Sequence, residues 1–151
     1  MTIKELYQLY QQHPTISTDS RKITQSCLFF ALKGDNFDGN KYAHKAIENG
    51  AAFAIIDDHT KAEGRHFIVV EDVLTTLQQL AHHHRLQFDI PVIAITGTNG
   101  KTTTKELISA VMGNHYPAHA TKGNFNNHIG VPLTLLSVSY THLTLPTTPY
   151  V

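Results

Sequence analysis

PVIAITGTNGKTTTKELISAVM, residues 91–112, decides how this chain is read. It opens on a short apolar run, Val92-Ile93-Ala94-Ile95. It then breaks into Thr96-Gly97-Thr98-Asn99-Gly100-Lys101-Thr102-Thr103 and resumes with Leu107, Ile108 and Val111 at helical spacing. The order predicts strand, glycine turn and helix, which is the setting of a phosphate-binding loop. Glycines let the backbone turn tightly, so consecutive N–H groups can aim at one anion. The first turn of the helix adds unpaired N–H groups and the positive end of its dipole. Lys101 can set a mobile cation on the terminal phosphates of a nucleotide, and Thr102 can offer a hydroxyl to Mg²⁺. The longer common form of such a loop has a glycine five positions before Gly100; Ile95 stands there, leaving Gly97-x-x-Gly100-Lys101-Thr102-Thr103. The bland alternative is a glycine-rich connection with an exposed lysine. The β-branched run before it and the Lys-Thr pair at the helix start favour the nucleotide.

Composition narrows the field. The chain has 151 residues, room for one ordinary domain or two small ones. Lys+Arg and Asp+Glu both number 12, so the net charge is zero with neutral histidines. That balance argues against a nucleic-acid binder held by a basic face. No apolar run approaches the roughly 20 residues that cross a bilayer, and MTIKELYQLYQQ at the start has no signal-peptide core. The expectation is a cytoplasmic protein without membrane insertion. Cys27 is the one cysteine, which excludes a disulfide framework and a thiolate zinc cluster. Lying before Leu28-Phe29-Phe30, it reads as a small buried thiol rather than a nucleophile. His82, His83 and His84 are adjacent, so on a helix they diverge and cannot converge on one ion. They read as a solvated helix face, and Lys105 reads likewise as a solvated helix lysine.

Upstream of the loop the pattern alternates. Ile3, Leu6, Tyr7 and Tyr10 fall at i, i+3, i+4 and i+7, predicting an amphipathic helix that ends before Pro14. Cys27–Leu32 reads as a strand, and Lys33 to Asn40 as a loop rich in Gly, Asp and Asn. Tyr42–Asn49 reads as a helix closed by Gly50. Ala51–Ile56 and Phe67–Val70 read as buried strands. Asp72 is a predicted N-cap for a helix running to about Phe88, with Leu74, Leu77, Leu80 and Ala81 inward. Strands alternating with helices imply an α/β architecture. A boundary near residues 87–91 divides a compact module, 1–88, from the start of a P-loop ATPase domain, 89–137. On the turn Asp19-Ser20-Arg21, Arg21 can fork onto a phosphate and Ser20 can bond a sugar or base, or the three can form a purely local turn. Asn124, Asn126 and Asn127 can present amides to a ligand or simply cap the helix predicted after them.

ITGTNGKTTTKE, residues 95–106, resembles the ATP loop of the Mur ligases, ATP-dependent amide-bond-forming enzymes of peptidoglycan synthesis; folylpolyglutamate synthetases share a related loop. TDSRKI (18–23) and LFFALKGDNFDGNKYAHKAIENGAAFAI (28–55) resemble the N-terminal domain of Mur ligases that act on UDP-linked muramoyl peptides, which the folate enzymes lack. GNFNNHIGVPLTLL (123–136) resembles the branch that joins D-alanyl-D-alanine to UDP-N-acetylmuramoyl-tripeptide. The resemblance covers residues 1 to about 136. It implies a small N-terminal α/β substrate-binding domain followed by the start of an ATPase domain, in a protein that is monomeric at full length. It implies ATP bound by Gly97, Thr98, Asn99, Gly100, Lys101, Thr102 and Thr103, with Lys101 catalytic and Thr102 on Mg²⁺. It implies UDP-substrate contacts at Ser20 and Arg21, then Lys33, Asp38 and Gly39, and further substrate contacts at Asn124, Asn126 and Asn127. The implied reaction converts a carboxylate into an acyl phosphate, which an amine then attacks.

Residues 138–151, VSYTHLTLPTTPYV, depart from the family pattern. They read as a non-native tail where the family continues into a strand with an acidic Mg²⁺ ligand, so the chain is expected to be an inactive fragment of a larger ligase. Three alternatives stay open at this point. The enzyme that adds the third peptide residue would differ in its amine substrate. A P-loop hydrolase or switch would ignore UDP-sugar peptides. A stand-alone nucleotide-sugar-binding module would ignore ATP.

Overall fold

The computed structural model of the chain describes residues 1–123 and 125–138. Its elements are α1 (Ile3–Gln12), β1 (Ile16–Ser17), β2 (Leu28–Phe30), β3 (Lys33–Gly34), β4 (Phe37–Asp38), α2 (Ala43–Glu48), β5 (Phe53–Ile56), β6 (Phe67–Val69), α3 (Val73–Arg85), α4 (Lys101–Gly113) and α5 (Gly130–Leu136). Short 3-10 turns occupy Gly39–Tyr42 and His59–Lys61. The four strands β1-β2-β5-β6 form a parallel sheet in that order, and β3 and β4 form a small antiparallel hairpin.

Alternation along the strands makes the layers. Leu28 and Phe30 of β2 join Ile55 and Ile68 in a core with Leu6, Tyr10, Val73, Leu77 and Leu80 of α1 and α3. Cys27, Phe29, Ala31, Ala54 and Ile56 point the other way, against Ala43 and Ala46 of α2. Both faces are therefore covered, which is why β2 is apolar at every position, as in other doubly covered parallel sheets. Cys27 is fully buried, as its surroundings in sequence imply.

The ends of the helices follow their sequence signals. Thr2 and Glu5 form a capping box on α1, with Thr2 N–H donating to Glu5 Oε2 at 2.7 Å. Asp72 accepts from Thr75 N–H at 2.6 Å and starts α3. Gly50, at φ +106°, closes α2 in a backbone conformation that glycine adopts without strain.

Several expectations are corrected. Residues 91–95 form no strand, and Val92 and Ile93 are exposed. A strand must pair its N–H and C=O groups, and among the described residues no neighbouring strand lies beside this one. Helix α3 ends at Arg85 rather than near Phe88. The histidine run is not uniformly solvated: His82 is exposed, but His84 is buried. Its Nδ1 lies 3.2 Å from Tyr7 Oη and its Nε2 2.8 Å from the Val138 carbonyl, so the neutral ring accepts at Nδ1 and donates at Nε2. Burial holds its pKa below the ordinary histidine value. Lys105 is not a solvated lysine either; its Nζ donates to the Thr121 carbonyl at 2.6 Å and pairs with Glu106 at 2.8 Å.

Helix α5 belongs by sequence to the span 89–137, yet it packs on α3. Leu136 is buried in the α1–α3 core, Tyr10 donates its hydroxyl to the Leu136 carbonyl, and Gln78 donates to the His128 carbonyl at 3.1 Å.

Candidate functional site

Two places in the structure suit a phosphorylated ligand. The first is the loop that enters α4. Gly97 has φ +143° and Gly100 has φ +77°, a left-handed turn at the N-cap of α4. A β-carbon at Gly100 would touch nothing, so glycine is required there by the dihedral rather than by space. No side chain caps α4. The N–H groups of Lys101, Thr102 and Thr103 therefore lack intrahelical acceptors and remain available to an anion. Lys101 folds its ammonium back over the loop, donating to the Gly97 carbonyl and, at 3.3 Å, to the Thr98 carbonyl. Thr98, Asn99, Thr102 and Thr103 are exposed around it. The predicted loop is thus present as a loop-and-helix unit, without the strand expected before it. The apolar side of α4 is open, with Leu107 and Val111 exposed.

The second place is a cleft of about 530 Å³ at the carboxyl ends of β1 and β2, where parallel α/β sheets generally take ligands. Residues 18–21 follow β1 directly; Phe37 and Tyr42 come from the segment after β2, and Lys45 comes from α2. Arg21 and Asp19 form a fork on its rim: Nε donates to Oδ1 at 2.9 Å and Nη2 to Oδ2 at 2.8 Å. Those hydrogen bonds, with the Arg21 N–H at 3.0 Å, bring the Asp19 pKa down to about 2. Ser20 is buried, and its carbonyl accepts from Asn49 Nδ2 at 3.2 Å. The rings of Phe37 and Tyr42 stack 5.4 Å apart at 7° and both remain well exposed. The cleft therefore combines a flat aromatic pair with two cationic side chains.

The remaining sequence candidates have work in the fold. Lys33 pairs with Asp57 at 2.7 Å. Asp38 caps the 3-10 turn, accepting from Asn40 N–H at 3.0 Å and Asn40 Nδ2 at 2.9 Å. Gly39 lies so close to Ala31 and Leu32 that a β-carbon would come within 2.6 Å of their backbone. Fully buried Asn40 ties this turn to Asp57 and Asp58 at the end of β5. Asn127 caps α5 through Oδ1, 2.7 Å from Gly130 N. Asn126 is exposed nearby, and Asn124 lies outside the described residues. Sequence reading passed over Phe37, Tyr42 and Lys45. An aromatic residue inside a loop of Asp, Asn and Gly was the available signal.

Residues 14–85 match the family model described as Mur ligase family, catalytic domain, and residues 95–145 match the Mur ligase middle domain. The chain belongs to the Mur ligase family. Among curated relatives, the UDP-N-acetylmuramoyl-tripeptide–D-alanyl-D-alanine ligase of Bacillus subtilis (strain 168) is 47% identical over 125 residues, covering 82% of this chain and 27% of that protein. The enzyme of the same name from Synechocystis sp. is 43% identical over 129 residues, covering 84% of this chain and 28% of its own length. Solved structures agree in fold. MurF from Acinetobacter baumannii has a TM-score of 0.78 at 34% identity, over 91% of this chain and 33% of that one. The MurF ligase from Thermotoga maritima in complex with ADP has a TM-score of 0.74 at 33% identity, over 81% of this chain and 28% of that one. The chain thus spans about a third or less of the length of these relatives. Among the described residues, no helix is long and apolar enough to cross a membrane, and no group of side chains is arranged to hold a metal by itself.

Proposed function

We propose that the protein carrying this chain is an ATP-dependent ligase that joins D-alanyl-D-alanine to UDP-N-acetylmuramoyl-tripeptide in the cytoplasm. The observation that carries the reading is the Gly97–Thr103 turn feeding the uncapped start of α4, in a chain 47% identical over 125 residues to a ligase of that name.

The chemistry follows from the reactants. A carboxylate is a poor electrophile. Attack of its oxygen on the γ-phosphorus of ATP releases ADP and leaves an acyl phosphate. The amine of the dipeptide then adds to the acyl carbon, and phosphate leaves with the oxygen that the carboxylate supplied. Lys101 and the N–H groups at the start of α4 balance charge on the phosphates during transfer. The exposed Thr102 hydroxyl is a hard oxygen donor of the kind Mg²⁺ accepts, and one such ligand fits a site completed by phosphates and water. A bound Mg²⁺ would supply further charge neutralisation on the phosphates.

The cleft at β1 and β2 is assigned to the UDP end of the substrate. Arg21 and Lys45 face the diphosphate, Ser20 takes a polar contact, and Phe37 with Tyr42 offers a flat apolar surface to the base. Lys33, Asp38 and Gly39 serve this site by fixing the hairpin that carries Phe37. Asn126, exposed before α5, remains a candidate substrate contact.

The test is ADP release by the complete protein. Release is expected only when both the UDP-tripeptide and D-alanyl-D-alanine are present, and Lys101→Ala is expected to lower kcat by at least about a hundredfold. ADP release driven by a diamino acid instead of the dipeptide, or release independent of both substrates, would refute the assignment.

A further inference from the structure

We infer that Asp19 is a positioning residue that holds the Arg21 guanidinium ready for the anionic part of the ligand in the β1–β2 cleft. The inference rests on the assignment of that cleft to a nucleoside diphosphate.

Arg21 is a long side chain, and 82% of it is exposed. Left alone, such a side chain samples many rotamers and loses that freedom when it engages a ligand. Here two parallel hydrogen bonds to one carboxylate, at 2.8 and 2.9 Å, fix the plane of the guanidinium. The carboxylate is itself held. Asp19 Oδ1 accepts from the Arg21 N–H, and the Asp19 carbonyl accepts from Lys22 N–H at 2.9 Å and from Ser17 Oγ at 3.0 Å. Ser17 is nearly buried and also donates to the Lys22 carbonyl. A rigid turn on the end of β1 therefore presents one edge of the guanidinium to Asp19. The remaining nitrogen, Nη1, is left for a second partner. Asp19, Ser20, Arg21 and Lys45 all line the cleft, so the held cation stands where the cleft's other cation can share an anion with it.

Charge alone predicts the opposite effect. Asp19 is an anion beside a proposed anion site, so removing it should tighten binding of a diphosphate if Arg21 needs no help. If Asp19 orders Arg21, removing it should weaken binding, because the ordering cost moves into the binding step. The two accounts differ in sign.

The experiment titrates the full 151-residue chain with uridine 5′-diphosphate by calorimetry, for the wild type, Asp19→Ala, Asp19→Asn, Arg21→Ala and the double variant Asp19→Ala/Arg21→Ala. Asp19→Asn keeps an acceptor for the Arg21 N–H and so preserves the turn. Circular dichroism and the unfolding midpoint establish that each variant is folded. The expected result is a Kd raised roughly three- to tenfold in Asp19→Ala and by a smaller factor in Asp19→Asn. The double variant should bind no more weakly than Arg21→Ala alone, since Asp19 acts only through Arg21. Unchanged or tighter binding by folded Asp19→Ala and Asp19→Asn would overturn the inference while leaving the cleft assignment intact. No binding of uridine 5′-diphosphate by the wild-type chain would instead overturn the cleft assignment, and the inference with it.

Discussion

Gly39→Ala should destabilise the fold sharply, and the structure gives the size. Gly39 opens the 3-10 turn after β4, and its N–H donates to the Leu32 carbonyl at 2.9 Å. A β-carbon at this position would lie 2.6 Å from Ala31 C and from Leu32 O, and 2.9 Å from Ala31 Cα. All three are backbone atoms of the segment leaving β2, and Ala31 is fully buried. No rotamer change can relieve the clash. Optimal carbon contacts lie at roughly 3.5–4.0 Å, so the two segments must part by about 1 Å. Overpacking of this kind costs about 1–3 kcal/mol. Weakening the Gly39–Leu32 hydrogen bond adds about 1 kcal/mol, for a total of about 2–4 kcal/mol. The assay is urea unfolding of the full chain followed by far-ultraviolet circular dichroism. With a slope of about 1–3 kcal/mol per molar, the midpoint should fall by on the order of 1–2 M with the slope unchanged. Gly34→Ala is the control: a β-carbon there meets nothing within 4 Å, and its effect should stay within about 0.5 kcal/mol. Equal midpoints for Gly39→Ala and Gly34→Ala would refute the close approach of the turn to β2, and with it the placing of Phe37 at the cleft.

Other outcomes follow from the same structure. Asp72→Ala removes the cap on Thr75 N–H and should cost about 1 kcal/mol in the same urea assay, whereas Asp72→Asn should retain most of it. His84 has a folded pKa below its unfolded value because it is buried. The unfolded chain therefore binds the proton more readily. The stability that His84 contributes is present above about pH 6.5 and is lost as the pH falls through the folded pKa. Protonation also puts a hydrogen on Nδ1, where Tyr7 now donates. His84→Gln should flatten the dependence of the unfolding midpoint on pH below about 6.5; an unchanged slope would place the titration elsewhere.

The sequence was most informative where local rules and burial agree. The unbroken apolar run Cys27–Leu32 marked a strand, and Asp72 and Gly50 marked helix ends by hydrogen-bond chemistry that acts within four residues, whereas the Thr2–Glu5 capping box emerged only in the structure. The Gly97–Thr103 turn was legible because left-handed residues and an uncapped helix start leave a compositional trace. Strand formation at Val92–Ile95 was not decided by local preference, since pairing depends on a neighbour that the local pattern does not specify. The burial of His84 comes from α1 and α5 converging on α3, residues far apart in sequence. The same holds for Lys105, whose partner Thr121 lies on the chain beyond α4. At the cleft, Ser20 and Arg21 were visible as a polar turn, whereas Phe37, Tyr42 and Lys45 reach it only through the hairpin and α2. Lys33, Asp38 and Gly39 share the hairpin's composition, and only in the fold does Lys33 pair with Asp57, Asp38 cap the 3-10 turn and Gly39 lie against Ala31 and Leu32.

In the proposed reaction, the Gly97–Thr103 loop directs the γ-phosphoryl group of ATP onto a carboxylate. The direct measurement is an isotope transfer with the complete protein, using UDP-tripeptide labelled with ¹⁸O in its terminal carboxylate, together with ATP and D-alanyl-D-alanine. The expected products are ADP and inorganic phosphate carrying ¹⁸O from the carboxylate, with both abolished by Lys101→Ala. Unlabelled phosphate, or AMP carrying the label, would contradict the proposed reaction.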